Sequence, residues 1–247
     1  MSAEQYISEI KRLIEEVEST QLENIKRAAG LITDTIARGR LPFIFGAGHS
    51  HFLCYEVFAR AGGLGQWQPI LDHGLDFGSG ARRQGGYERL TGVSAVIIRD
   101  YDVQPGDVLV VISNSGRNPA PVEMALEGKK RGATIIALTS MQHSSSVSAA
   151  NPAGKRLYEV ADLVLDNRCP PGDALIKFEG LPPRVAPGST VMGALILNSI
   201  VAQVARSQLE RGETPMVALS GNLEGGQEYN QRVYAPMGKK LGHIRHL

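Results

Sequence analysis

The 247 residues can bury a full core, and that length suits one domain of α/β type with some decoration. Hydrophobic residues make up 43% and charged residues 21%, and the net charge of +1 comes from 26 Lys and Arg against 25 Asp and Glu. Nucleic acid and membrane surfaces normally demand a visible basic excess, so neither is expected as a partner and any grip on an anion must be local.

Residues 3–38 read as helix in one piece or two. Ser2 and Gln5 can form a capping box, and Tyr6, Ile10, Leu13, Ile14 and Val17 recur on one face. Ser19-Thr20 with Glu23 repeats the start signal, which predicts a break or kink near residue 19. Residues 42–45 form a buried strand and 50–61 a helix, and 66–71 suit a second strand. The glycine-rich run 72–86, with Arg82 and Arg83, reads as a functional loop. Residues 87–101 favour strand by propensity and helix by the spacing of Leu90, Val93 and Ile97. Strand 108–112, helix 118–131 and strand 134–138 follow. A Ser-rich stretch at 143–155, a weak strand at 163–165 and a Pro- and Gly-rich loop at 167–188 come next. Helix 189–211 and a C-terminal helix at 226–240 complete the chain.

Strands alternating with helices at this spacing predict a parallel sheet covered on both faces, a doubly wound three-layer α/β sandwich. The chain reads as a single domain, residues 1–247. Its core is about 20–211, with a helical N-terminal extension at 1–38 and a C-terminal extension at 212–247. The apolar run 191–205 is interrupted by Asn198, Ser199 and Gln203 and reads as a core or interface helix rather than a membrane span. Cys54 and Cys169 lack metal-type spacing, and no signal-peptide pattern opens the chain. Both are expected as reduced thiols in a cytoplasmic protein.

Two loops carry the chemistry. Ser113-Asn114-Ser115-Gly116-Arg117-Asn118 follows an apolar strand and precedes a helix. It offers the Ser113 and Ser115 hydroxyls and the Asn114 and Asn118 amides within six residues. Ionised phosphate has acceptors only, so these donors suit it. Gly116 lets the backbone curl around a ligand, and the following helix points its positive end there. The plainer reading is a Ser- and Asn-rich turn with Asn118 as an N-cap.

The second loop is Gly46-Ala47-Gly48-His49-Ser50. It lacks the third glycine of a dinucleotide fingerprint, and no acidic residue closes the next strand unless Asp72 is counted. It suits a second oxyanion or sugar-hydroxyl loop through Ser50, or a plain tight turn. Ser189-Thr190 opens the apolar helix, either as a cap or as a third element facing the anion.

These three elements in order resemble the sugar isomerase domain superfamily over roughly residues 5–210. That superfamily includes phosphoheptose isomerase, the isomerase half of glucosamine-6-phosphate synthase and N-acetylmuramic acid 6-phosphate etherase. The chain as a whole resembles a bacterial branch of phosphosugar-binding, phosphoheptose-isomerase-like proteins. The resemblance implies a five-stranded parallel sheet and makes 87–101 helical. It implies phosphate contacts at Ser113, Asn114, Ser115, Gly116 and Asn118, with Ser50, Ser189 and Thr190 completing the pocket. It also implies a homodimer or homotetramer with sites near subunit boundaries.

One departure concerns the base. In the heptose isomerase and the etherase a catalytic glutamate lies ten residues after the serine of the first loop, and here that place is Arg60, which cannot accept a proton. Aldose–ketose isomerisation needs a carboxylate or imidazole that moves a proton between neighbouring carbons. Candidates are Glu56, Glu179, His49, His51, His73, His243 and His246. A helix carries Glu56 about 240° past Ser50 onto another face. His73 lies where the second strand ends, the edge at which α/β sheets bind ligands, and it leads the histidines, followed by His49 and His51. Arg82 and Arg83 read as solvent-facing or as a lid clamp. No cofactor and no metal is required by the residues, although zinc use in the heptose isomerase keeps a metal open. The expected function is phosphosugar binding, either as an isomerase or etherase-like lyase working through an enediolate, or as a sensor without catalysis.

Overall fold

Strand formation follows from runs of β-branched and other apolar side chains that are buried on both sheet faces. Strands β1 (Phe43–Gly46), β2 (Gln68–Ile70), β3 (Val108–Ile112), β4 (Thr134–Thr139) and β5 (Leu163–Asp166) are buried almost throughout. In this computed structural model, which describes residues 2–236, they pair as one all-parallel sheet in the order β2-β1-β3-β4-β5. Phe45 lies opposite Val111, and Val111 opposite Ala137. The strand order reverses between β1 and β3. That switch point opens a crevice at the carboxyl edge of the sheet.

Alternation along the strands builds two cores. Ile44, Val110, Ile112 and Leu138 face α1 (Ser2–Ala37), α2 (His49–Val57) and α8 (Ser189–Glu210). Phe43, Phe45, Leu109 and Val111 face the layer of α4 (Val93–Ile97), α5 (Pro119–Lys130) and α7 (Leu157–Val160). The three-layer sandwich is thus the observed architecture. By length and composition α8 could cross a membrane. Its Met192, Ile196, Leu197, Ile200 and Val204 are instead fully buried against α1 and the sheet.

Several expectations change in detail. Helix α1 runs unbroken past residue 19, because Ser19 Oγ and Thr20 Oγ1 donate back to the Glu15 and Glu16 carbonyls (2.8 and 2.6 Å) instead of capping a new helix. The glycine-rich run contains α3 (Ala81–Tyr87). Residues 93–97 are helical despite their β-branched content, since Ser94 Oγ docks on the Ala120 carbonyl at 2.6 Å and Ile97 and Ile98 join the second core. Tertiary burial overrides propensity there. The Ser-rich stretch begins inside α6 (Met141–Ser146), capped by Ser140 Oγ, which accepts from His143 N at 3.0 Å. The loop 167–188 holds a hairpin of β6 (Ala174–Ile176) and β7 (Val185–Pro187). Helix α9 spans Gly226–Tyr234. The end of the expected C-terminal helix, with His243 and His246, lies outside the described residues.

Candidate functional site

Helix α2 starts directly over the end of β1. A Cβ at Gly46 would lie 2.4 Å from the Ser50 carbonyl oxygen, so only glycine lets the first turn sit this close. Gly48 adopts φ +58° and hangs the turn on the Leu75 carbonyl at 2.8 Å. The turn places Ser50 in the crevice, with His49 exposed at its mouth against the edges of Phe52 and Phe77.

The second loop is drawn closed from inside. Ser113 Oγ is buried and accepts from Gly116 N at 3.1 Å, and Gly116 takes φ +57°. The Asn114 carbonyl accepts from Ser140 N (3.2 Å) and Thr139 Oγ1 (3.1 Å), which fixes that residue against β4. Its side chain is fixed by a chain of amides that starts at a backbone N–H. Cys169 N donates to Asn167 Oδ1 (3.0 Å), so Asn167 Nδ2 must be the donor to Asn114 Oδ1 (2.9 Å). Asn114 therefore presents Nδ2, a donor that is buried and has no partner among the described residues.

The third wall is the start of α8. Gly193 allows α2 and α8 to approach, since a Cβ there would lie 2.5 Å from Leu53 Cδ1. Asp173, itself at φ +70°, caps the helix. Its carboxylate accepts from Ser189 N (2.7 Å), Gly188 N (3.2 Å) and Ser189 Oγ (2.6 Å). Thr190 is exposed beside it.

These walls meet. One crevice is lined by His49, Ser50, Asn114, Asn167, Ser189 and Thr190, with Leu53, Ile112, Leu138 and Gly193 as its apolar sides. The crevice is narrow: it leaves about 10 Å3 for the centre of a water-sized sphere, room for about one water, so a ligand must extend out through its mouth.

Other predicted residues lie elsewhere. Ser115 is half-buried on the second loop, and its hydroxyl has no hydrogen bond among the described residues. Asn118 Nδ2 donates to Glu88 Oε1 at 2.8 Å, while Glu88 Oε2 accepts from Gln84 of α3 at 3.1 Å. His51 is buried behind the first loop. Its Nδ1 donates to the Gly46 carbonyl at 2.9 Å, and burial pushes its pKa below the usual 6.5. The His73 ring is exposed and pairs with Asp76 at 3.1 Å. Neither His51 nor His73 lines the crevice. Glu56 ion-pairs with Arg60 and accepts from Asn198 Nδ2 at 3.2 Å. Arg82, Arg83 and Glu179 are exposed.

Three residues at this edge escape sequence reasoning. Asn167 and Asp173 lie in a loop without periodicity. His143 is half-buried in the Ser-rich run, with Nδ1 buried and unpartnered among the described residues, and burial lowers its pKa against the pull of Asp173. The Cys169 thiol is pushed up to about 12 by burial, then by Asp173 and Asp166, so it stays protonated at neutral pH. Among the described residues no group of three or more His, Cys, Asp or Glu side chains is placed to hold a metal ion.

The family model of the SIS domain matches residues 5–140, from α1 through the β4 end that supports Asn114. The chain belongs to the SIS domain family. It is 42% identical over 228 residues to the UPF0309 protein of Geobacillus kaustophilus, covering 92% of this chain and 91% of the relative. A phosphoheptose isomerase from Francisella tularensis superposes with a TM-score of 0.58 at 13% identity, over 83% of this chain and 97% of that one. The NanR protein of Vibrio vulnificus, complexed with ManNAc-6P, gives 0.53 at 14% identity, over 96% and 70%. At these identities the two structures share the SIS fold with this chain.

Proposed function

We propose that the crevice binds a phosphorylated sugar and that the chain acts on it by isomerase-type or etherase-like enediolate chemistry. The observation that carries the binding is Asn114 Nδ2. A buried donor without an acceptor costs about 1–3 kcal/mol, and an incoming oxyanion removes that cost. The Ser50 hydroxyl in the crevice and the Ser115 hydroxyl on the adjoining loop make no hydrogen bond among the described residues and are available to the same group. Ser113, Gly116 and Asn118 hold that loop in shape. The phosphoheptose isomerase and the ManNAc-6P-bound NanR have the same fold, which supports this ligand class.

For catalysis, His49 is the imidazole at the crevice mouth, where the sugar portion would emerge. Incubation with sugar phosphates in D2O tests the step. Exchange of the proton next to the carbonyl, lost in His49→Ala, is the expected result. Tight binding without exchange across the panel would remove the enzyme reading. A sensor without catalysis is favoured by a specific observation: among the described residues the crevice lining holds no carboxylate, Asp173 reaching it only through Ser189, and the position ten residues after Ser50 is an arginine paired with Glu56.

We also propose that the chain self-associates as a homodimer or homotetramer. A groove between α1 and α8 is lined by Ile14, Val191, Ala194, Leu195 and Asn198, and Val191 is 43% exposed next to the Thr190 end of the crevice. Such an apolar groove beside the site suits a subunit boundary. The two buried cysteines are free thiols, which suits the reducing cytoplasm.

A further inference from the structure

The polar groups of the crevice are not interchangeable, because their partners fix which of them can donate. Ser189 has one hydroxyl proton. A carboxylate has none, so at 2.6 Å that proton goes to Asp173 Oδ2. What Ser189 Oγ can turn toward the crevice is lone pairs only. Its backbone N–H is also committed, to Asp173 Oδ1 at 2.7 Å. Ionised phosphate offers no protons, so Ser189 itself has no donor left to give it, and the Asp173 carboxylate behind that serine repels it. On the second loop the amide chain from Cys169 N through Asn167 turns Asn114 Oδ1 toward Asn167 and leaves Nδ2 as its unpartnered donor among the described residues.

We infer that the crevice is polarised, with the ligand phosphate on Asn114 and a sugar hydroxyl donating to Ser189 Oγ, which Asp173 holds as an acceptor. This rests on the proposed phosphosugar reading and deepens it. Asp173 and Ser189 become the specificity-determining pair for a ligand that carries a hydroxyl at a set distance from its phosphate. Asp173 acts through Ser189 as a positioning residue. Its left-handed backbone, which aspartate and asparagine reach more readily than other residues outside glycine, leads into the hairpin that begins at Ala174 and delivers the carboxylate to the helix end.

Calorimetric titration tests the polarity with three kinds of probe: inorganic phosphate, methyl phosphate (which has no hydroxyl) and sugar phosphates of five to seven carbons. On the unaltered protein the tightest sugar phosphate should bind well above methyl phosphate. Ser189→Ala should weaken that sugar phosphate about tenfold, leave methyl phosphate, whose dianion has no proton to donate, within about twofold, and be rescued by Ser189→Thr. An equal loss for methyl phosphate would place Ser189 at the phosphate, and no loss for any probe would remove it from the site. Either result overturns the inference while leaving phosphosugar binding intact. Deoxy analogues of the tightest ligand, titrated into the unaltered protein, repeat the test without a variant. One deletion should reproduce the tenfold loss and become silent in Ser189→Ala, and equal binding of all deoxy forms would overturn the inference. Failure of every phosphate-bearing probe to bind the unaltered protein would overturn the phosphosugar reading itself.

Discussion

Asn114 and His51 each carry one buried side-chain atom without a partner among the described residues, yet they do different things. Asn114 lines the crevice, and Asn114→Ala should weaken sugar-phosphate binding by the order of 1.5–3 kcal/mol, read as the change in dissociation constant. His51 ties the first loop to Gly46 from behind, and its lowered pKa has a consequence for stability. An unfolded histidine takes up a proton near 6.5, whereas folded His51 resists it, so the unfolded state binds more protons just below that pH. The stability His51 contributes is whole above 6.5 and is lost as pH falls through its depressed folded value. His143, lowered for the same reason, adds in the same direction. The melting temperature should therefore drop between about pH 7.5 and about pH 5.5, and His51→Gln should flatten part of that slope. The polar turns were legible because small polar residues follow apolar strands. The orientation of Asn114 was not, since it depends on Asn167, 53 residues away.

Among the elements, the strand-to-helix turn after β1 is the one whose geometry depends most on a single glycine. Gly46→Ala would drive its Cβ into the Ser50 carbonyl, and backbone cannot swing aside as a flexible side chain can. The variant should lose about 1–3 kcal/mol of stability in denaturant titration, and Ser50 should leave its place in the crevice. Strands β1, β3 and β4 could be read from composition, because continuous apolar runs bounded by turn residues have few other uses. The unbroken α1 and the helical 93–97 could not. In both, hydroxyls bond to carbonyls that the sequence alone does not bring near, whether one turn back along α1 or across to Ala120. The hairpin that carries Asp173 was hidden for a related reason: three-residue strands leave no period to count.

At the scale of the whole molecule, the sheet order places three separate turns at one edge, and helix α8 joins them by crossing to α1 and α2. The same helix leaves Val191 and the Ile14 groove uncovered. Val191→Glu should convert the proposed dimer or tetramer to smaller species in light scattering, because a charge in an apolar boundary is not desolvated without a partner. An unchanged mass would show that this face is not the boundary. The fold class was readable because alternation of strand and helix dictates a covered parallel sheet. The meeting of Ser50 and Asn114 follows from the strand order, and Ser189 joins them through the packing of α8 on α1 and α2.

The most direct measurement is the side-chain amide of Asn114, followed by 1H–15N NMR during titration with sugar phosphates and assigned by its loss in Asn114→Ala. Binding of phosphate at Nδ2 predicts a saturable downfield shift of one of its protons, with the same dissociation constant as the calorimetric titration. A ligand that binds without moving that resonance would contradict the account.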